Sequence, residues 1–256
     1  MNKKILVIGH PRCGTLYTSE FLKTLDLDIL HEKMGKDGTS NWQFTINDYP
    51  IINENKFKRS DFKWDNIIVT MRNPFDAINS IANTETPLNR YEYNNEQDYY
   101  NGKQITNEIV NLIENGMNKE DATSYIIKNY KIGISSLIRR KIIYIDIKGS
   151  NILRASQSYI NWYKYIEKNI DYNIIFRIEK DQQILKNYLY EKKIIDHNNY
   201  IKKPNLPKNI NGREYDKLTK DEWNSLPNNI LIELNNFCKK YEYDNIYKQI
   251  EDNIYD

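Results

Sequence analysis

Lys3-Lys4-Ile5-Leu6-Val7-Ile8-Gly9, then His10-Pro11-Arg12-Cys13-Gly14-Thr15, then Leu16-Tyr17-Thr18-Ser19-Glu20-Phe21-Leu22: this stretch decides the fold. A short apolar run closed by glycine is the pattern of a strand buried in a parallel sheet. The small, turn-prone residues after it lead into a segment with Leu16, Phe21, Leu22 and Leu25 on roughly one helical face. Strand, loop and helix in that order predict a phosphate cradle. N–H groups of the loop and of the first helical turn converge on one spot, where the helix dipole adds partial positive charge. Gly14 lets the backbone come close to an anion, Thr15 and Thr18 offer hydroxyls, and Arg12 brings a fork of donors.

The spacing approaches that of the nucleoside-triphosphate loop G-x-x-x-x-G-K-[ST], whose lysine reaches the terminal phosphates and whose hydroxyl binds magnesium. Gly9 and Gly14 hold the glycine positions, but Thr15 and Leu16 stand where lysine and Ser/Thr belong. The motif's magnesium ligand is missing, so an anion whose leaving group needs no divalent clamp is expected.

A second segment has the same construction. Residues 64–71, Trp64-Asp65-Asn66-Ile67-Ile68-Val69-Thr70-Met71, read as another buried strand, followed by Arg72-Asn73-Pro74-Phe75-Asp76-Ala77-Ile78-Asn79-Ser80. Pro74 suits the first turn of a helix, which leaves Arg72 at a strand's carboxyl end, where open α/β sheets bind ligands. Ser80 lies two turns along that helix, and a guanidinium with a hydroxyl suits a phosphate.

Together the two segments resemble the nucleotide-binding signatures of the sulfotransferases that use 3′-phosphoadenosine 5′-phosphosulfate (PAPS). Pro11-Arg12-Cys13-Gly14-Thr15 is similar to that family's P-[KR]-x-G-T loop, and Arg72-Asn73-Pro74 with Ser80 is similar to its R-[DN]-P-x-x-x-x-x-S element. The resemblance implies that Pro11, Arg12, Cys13, Gly14, Thr15, Leu16 and Tyr17 hold the 5′-phosphosulfate, and that Arg72 and Ser80 hold the 3′-phosphate. Arg177-Ile178-Glu179, after a strand at 173–176, resembles the family's late R-[YI]-E strand end. Asn211-Gly212-Arg213 and Leu218-Thr219 through Trp223 resemble its carboxyl-terminal basic loop and the helix start beyond it, with Arg213 in place of a glycine-rich R-K-G loop.

Sulfuryl transfer needs a group that takes the acceptor's proton. Residues 27–30 read as a short second strand that delivers His31-Glu32-Lys33 to the cradle edge. The resemblance implies a glutamate there in the glycan- and tyrosine-acting branches, so Glu32 is the first candidate. His31 is the alternative, since an imidazole titrates nearer neutrality. Neighbouring strand side chains face opposite ways, so one of the two is expected in the site. His10 reads as a loop-packing residue and His197 as solvated.

The 256 residues can bury a sizeable core, and no Pro/Gly/Ser-rich linker divides them, so a single domain over 1–256 is expected. A net charge of +2, from 37 Lys plus Arg against 35 Asp plus Glu, argues against a general nucleic-acid surface. Two cysteines, Cys13 and Cys238, give no disulfide framework and suit a reducing compartment. The apolar run at the amino terminus is too short for a signal or membrane helix, so a cytoplasmic protein is expected. The tyrosine-rich stretch 85–103 reads as a long loop or lid, 121–143 as an amphipathic helix ending in Arg139-Arg140-Lys141, and 150–168 as a helix carrying Tyr159, Trp162 and Tyr163.

The expected architecture is a single α/β domain: a parallel sheet flanked by helices, a P-loop-like cradle after its first strand, and helical insertions around an acceptor cleft. The expected activity is metal-free transfer of a sulfuryl group from PAPS to a hydroxyl, or an amine, of an acceptor, with a carbohydrate favoured and 3′-phosphoadenosine 5′-phosphate (PAP) as product. Arg12 would stabilise the leaving phosphate. Alternatives are a P-loop nucleotide kinase and a nucleotide-binding interaction protein without chemistry.

Overall fold

A computed structural model describes residues 2–45, 59–84, 111–112, 115–117, 121, 125, 149–206 and 216–252. Arg213, the stretch 85–103 and the basic triplet 139–141 lie outside them. The chain divides into two compact units: Met1–Asp48, Asn53–Asn73 and Ile166–Glu214 in the first, Tyr49–Ile52, Pro74–Tyr165 and Tyr215–Asp256 in the second.

The first unit is built on one five-stranded sheet. Its strands are β1 (Asn2–Ile8), β2 (Ile29–His31), β3 (Gly38–Ser40), β4 (Lys63–Met71) and β5 (Ile174–Arg177), in the spatial order β2-β3-β1-β4-β5 and all parallel. The fold is α/β. Ile5, Leu6, Val7 and Ile8 are all fully buried, as an apolar run in a central parallel strand must be. Ile5, Val7, Ile68 and Phe176 put one face of the sheet against Phe21 and Leu22 of α1 (Thr15–Thr24), joined in the same core by Leu185 and Leu189 from the later helix Gln182–Glu191.

β3 was not marked by any sequence pattern. Gly38-Thr39-Ser40 is a strand because it is wedged between β1 and β2, and its glycine is required there. A Cβ on Gly38 would lie 1.8 Å from the Ile5 carbonyl oxygen. Asp37 secures the strand's entry by pairing with Lys4 at 2.9 Å and accepting the Asp28 N–H at 2.9 Å.

In the second unit, α2 (Pro74–Thr84) begins at the proline that the sequence marks. α3 (Asn151–Asn169) contributes Tyr159 and Tyr163, both buried and packed with Phe237, so the aromatic stripe is core. After α4 (Gln182–Glu191) and α5 (His197–Ile201) of the first unit, α6 (Lys220–Asn224), α7 (Asn228–Lys240) and α8 (Ile246–Asp252) complete the second. α6 starts with a reciprocal cap in which Thr219 Oγ1 accepts the Glu222 N–H and Glu222 accepts the Thr219 N–H. Its Trp223 stacks on Phe75 of α2, with ring centroids 4.9 Å apart. Among the described residues, no helix is long and apolar enough to cross a membrane.

Candidate functional site

β1 and β4 are neighbours in register, Ile8 opposite Val69, so the loop after each leaves the same edge of the sheet side by side. The chain then departs in opposite directions, from β1 through α1 to β2 and from β4 through α2 toward β5. A reversal of this kind opens a crevice at the strands' carboxyl ends. Gly9 is needed for the close approach, since a Cβ there would lie 2.5 Å from the Thr70 carbonyl oxygen.

The loop between Gly9 and α1 is fixed from below. The buried Thr70 hydroxyl donates to the Cys13 carbonyl at 3.1 Å and sits 2.9 Å from the Thr18 hydroxyl, which also donates to the Gly14 carbonyl at 2.9 Å. Thr18 therefore holds the loop, and its fully buried hydroxyl does not face a ligand as the sequence suggested. Ser40 Oγ donates to the Thr15 carbonyl at 2.6 Å, tying the start of α1 to the end of β3. The Arg12 N–H donates to His10 Nδ1 at 3.3 Å, so His10 packs within the loop. Cys13 is fully buried, whereas Pro11, Arg12, Leu16 and Tyr17 are half-buried. The Tyr17 hydroxyl accepts from Gln182, and burial pushes its pKa up.

Gly14 caps α1 at φ +90°, with no side-chain cap and no acidic residue in the first turn. Helical geometry leaves the first-turn N–H groups without intrahelical acceptors. With Arg12 beside them, this end of α1 can receive an anion at the same spot to which its dipole points.

Beside the loop, β4 ends at Met71 and presents Arg72 and Asn73. The Asn73 N–H donates to Glu179 Oε1 at 2.8 Å and the Ile178 N–H to the Met71 carbonyl at 3.0 Å, which joins this strand end to the end of β5. Arg177 is engaged elsewhere: its Nε and Nη2 donate to the two carboxylate oxygens of buried Asp181 at 2.6 and 2.7 Å. It closes the turn into α4. Ser80 is buried on α2, in the second unit.

β2 ends at His31, and Glu32 adopts φ +55°. The strict alternation expected from a continuing strand therefore does not hold. The left-handed turn at Glu32 brings its Oε1 to 4.0 Å from His31 Nε2, so the two candidates for the base lie together instead of on opposite faces. His31 Nε2 is also 3.2 Å from the Thr15 hydroxyl at the start of α1. Burial pushes the imidazole pKa below its ordinary value, against the opposite pull of Glu32. Trp42, which the sequence did not single out, donates its indole N–H to Glu32 Oε1 at 2.8 Å. Trp42 carries no periodic or motif signal, whereas Ile178, whose methyl groups crowd Gly14, lies inside the Arg177-Ile178-Glu179 pattern that the sequence marks. Thr70 did carry one: it is a hydroxyl inside the apolar run Ile67–Met71.

Set against protein-family models, curated proteins and solved structures, the chain matches none.

Proposed function

We propose that this chain is a PAPS-dependent sulfotransferase acting on a hydroxyl-bearing acceptor, with a carbohydrate favoured, in a reducing, cytoplasmic compartment. The observation that carries the proposal is the convergence at one sheet edge of the Gly14-capped start of α1, Arg12, Arg72 and the His31–Glu32 pair, all within the first unit. An anion-receiving helix end, a second cation on the next strand and a proton acceptor on the β2 side are the three parts that sulfuryl transfer requires.

On this proposal Arg12 and the N–H groups from Gly14 to Tyr17 hold the 5′-phosphosulfate and offset charge on the bridging oxygen as its bond to sulfur breaks. Arg72 recognises the 3′-phosphate. Thr70, Thr18 and Ser40 keep the loop in shape, which makes these donors preorganised. The acceptor oxygen forms its bond to sulfur, PAP departs with the electron pair of the broken bond, and the acceptor's proton passes to the end of β2.

The test is release of PAP from PAPS in the presence of a panel of oligosaccharides, phenols and amines. Acceptor-dependent release, greatest with an oligosaccharide, is the expected result. PAPS left intact with every acceptor would overturn the proposal.

A further inference from the structure

We propose that His31 and Glu32 hold the acceptor's proton as one pair and that Trp42, through its indole N–H, is the positioning residue that keeps the pair together. The inference rests on the functional reading above for its chemistry, but its geometry stands alone.

Glu32 occupies the left-handed backbone region, which is unfavourable for a residue that bears a side chain, and such strain persists only where its surroundings enforce it. The Glu32 N–H donates to the Ser40 carbonyl at 3.0 Å, which extends the β2–β3 pairing by one residue while the side chain turns back toward His31. That side chain is 46% exposed, and an exposed glutamate is ordinarily a free rotor. Trp42 is only 3% exposed and has two side-chain torsions, so its N–H at 2.8 Å from Oε1 is a rigid tether. Oε1 is also the oxygen that lies 4.0 Å from His31 Nε2. One tethered atom thus sets the distance between carboxylate and imidazole.

The charged groups acting on His31 are Glu32 and, from α1, Glu20 and Lys23; the two carboxylates favour its protonation and the lysine opposes it. Burial outweighs them and keeps the ring neutral near neutrality, able to accept a proton. As the acceptor oxygen bonds to sulfur and PAP leaves, its proton lodges on the imidazole and the unchanged Glu32 carboxylate offsets the new positive charge. A loosened carboxylate would drift into solvent and leave that charge unmatched. Trp42→Phe keeps an aromatic ring in the core and removes the tether together with part of the ring's volume, and the Glu32→Gln background isolates the tether's share.

The experiment is a double-mutant cycle read by NMR titration of the His31 ring protons, in wild type, Trp42→Phe, Glu32→Gln and the double variant, with His31→Asn to assign the signal. The expected result is that Trp42→Phe lowers the His31 pKa while Glu32 is present and leaves it unmoved in Glu32→Gln. An equal shift in both backgrounds, or none in either, would overturn the role given to Trp42. If PAPS turnover is established, Trp42→Phe should also cut kcat by about 3- to 30-fold with KM for PAPS unchanged, a fraction of what a general base contributes. Absence of turnover in the wild type would count against the sulfotransferase proposal, and the titration would still decide the pair.

Discussion

Gly14→Ala tests the local architecture most severely. At φ +90° and ψ 22° an alanine would sit well off the left-handed minimum, at a cost of about 1–2 kcal/mol. Its Cβ would also lie 2.8 Å from both Cδ1 and Cγ2 of Ile178. Carbon atoms prefer separations of about 3.5–4.0 Å, and overpacking of this kind costs about 1–3 kcal/mol. Together the two effects predict a loss of roughly 2–5 kcal/mol in urea unfolding. Because strain and crowding are separable, Ile178→Ala should relieve the second and leave the first. In that background Gly14→Ala should cost only about 1–2 kcal/mol, so the double variant should be more stable than the sum of the singles by about 1–3 kcal/mol. Additivity within about 0.5 kcal/mol would refute the claim that Ile178 closes the space over Gly14.

Arg72→Ala should weaken PAP by about 1.5–3 kcal/mol, the worth of a charge-assisted contact, and leave adenosine 5′-phosphosulfate almost unaffected. Equal losses in calorimetric titrations of the two ligands would make Arg72 structural. A second prediction concerns pH. Burial holds His31 below its ordinary value, so the unfolded chain binds that proton more tightly than the folded one. The stability it contributes is therefore complete above about pH 6.5 and declines as the pH falls from there through the folded value. His31→Asn should flatten this part of the stability–pH curve measured by urea unfolding, and an unchanged slope would show that another group sets it.

Much of the fold was legible in the sequence because its central strands are buried on both faces. The apolar runs of β1 and β4 and the helix starts at Thr15 and Pro74 are set by local chemistry, and the structure places them within a residue or two of expectation. β3 was not legible, because three small residues carry no period and owe their conformation to the strands on either side. The β2 end was misjudged for a related reason. Alternation describes extended backbone, and Glu32 leaves it. The tether from Trp42 joins residues ten apart across a turn, a relation that no helical or strand period encodes. Arg177 shows the converse, since a residue that the sequence marks only as part of a strand-end pattern turns out to pair with Asp181 four residues on and to shape the turn into α4.

The central claim is that the edge formed by Gly9–Thr15 and Arg72 binds a nucleotide with phosphates at both ribose ends and needs no metal to do so. Calorimetric titration of the full chain with PAP in the presence of a chelator tests it most directly, with ATP plus magnesium as the comparison. Saturable binding of PAP without metal, and much weaker binding of ATP with magnesium, is the predicted outcome. Binding of PAP that requires magnesium, or ATP with magnesium bound as tightly as PAP, would contradict the claim and favour a kinase.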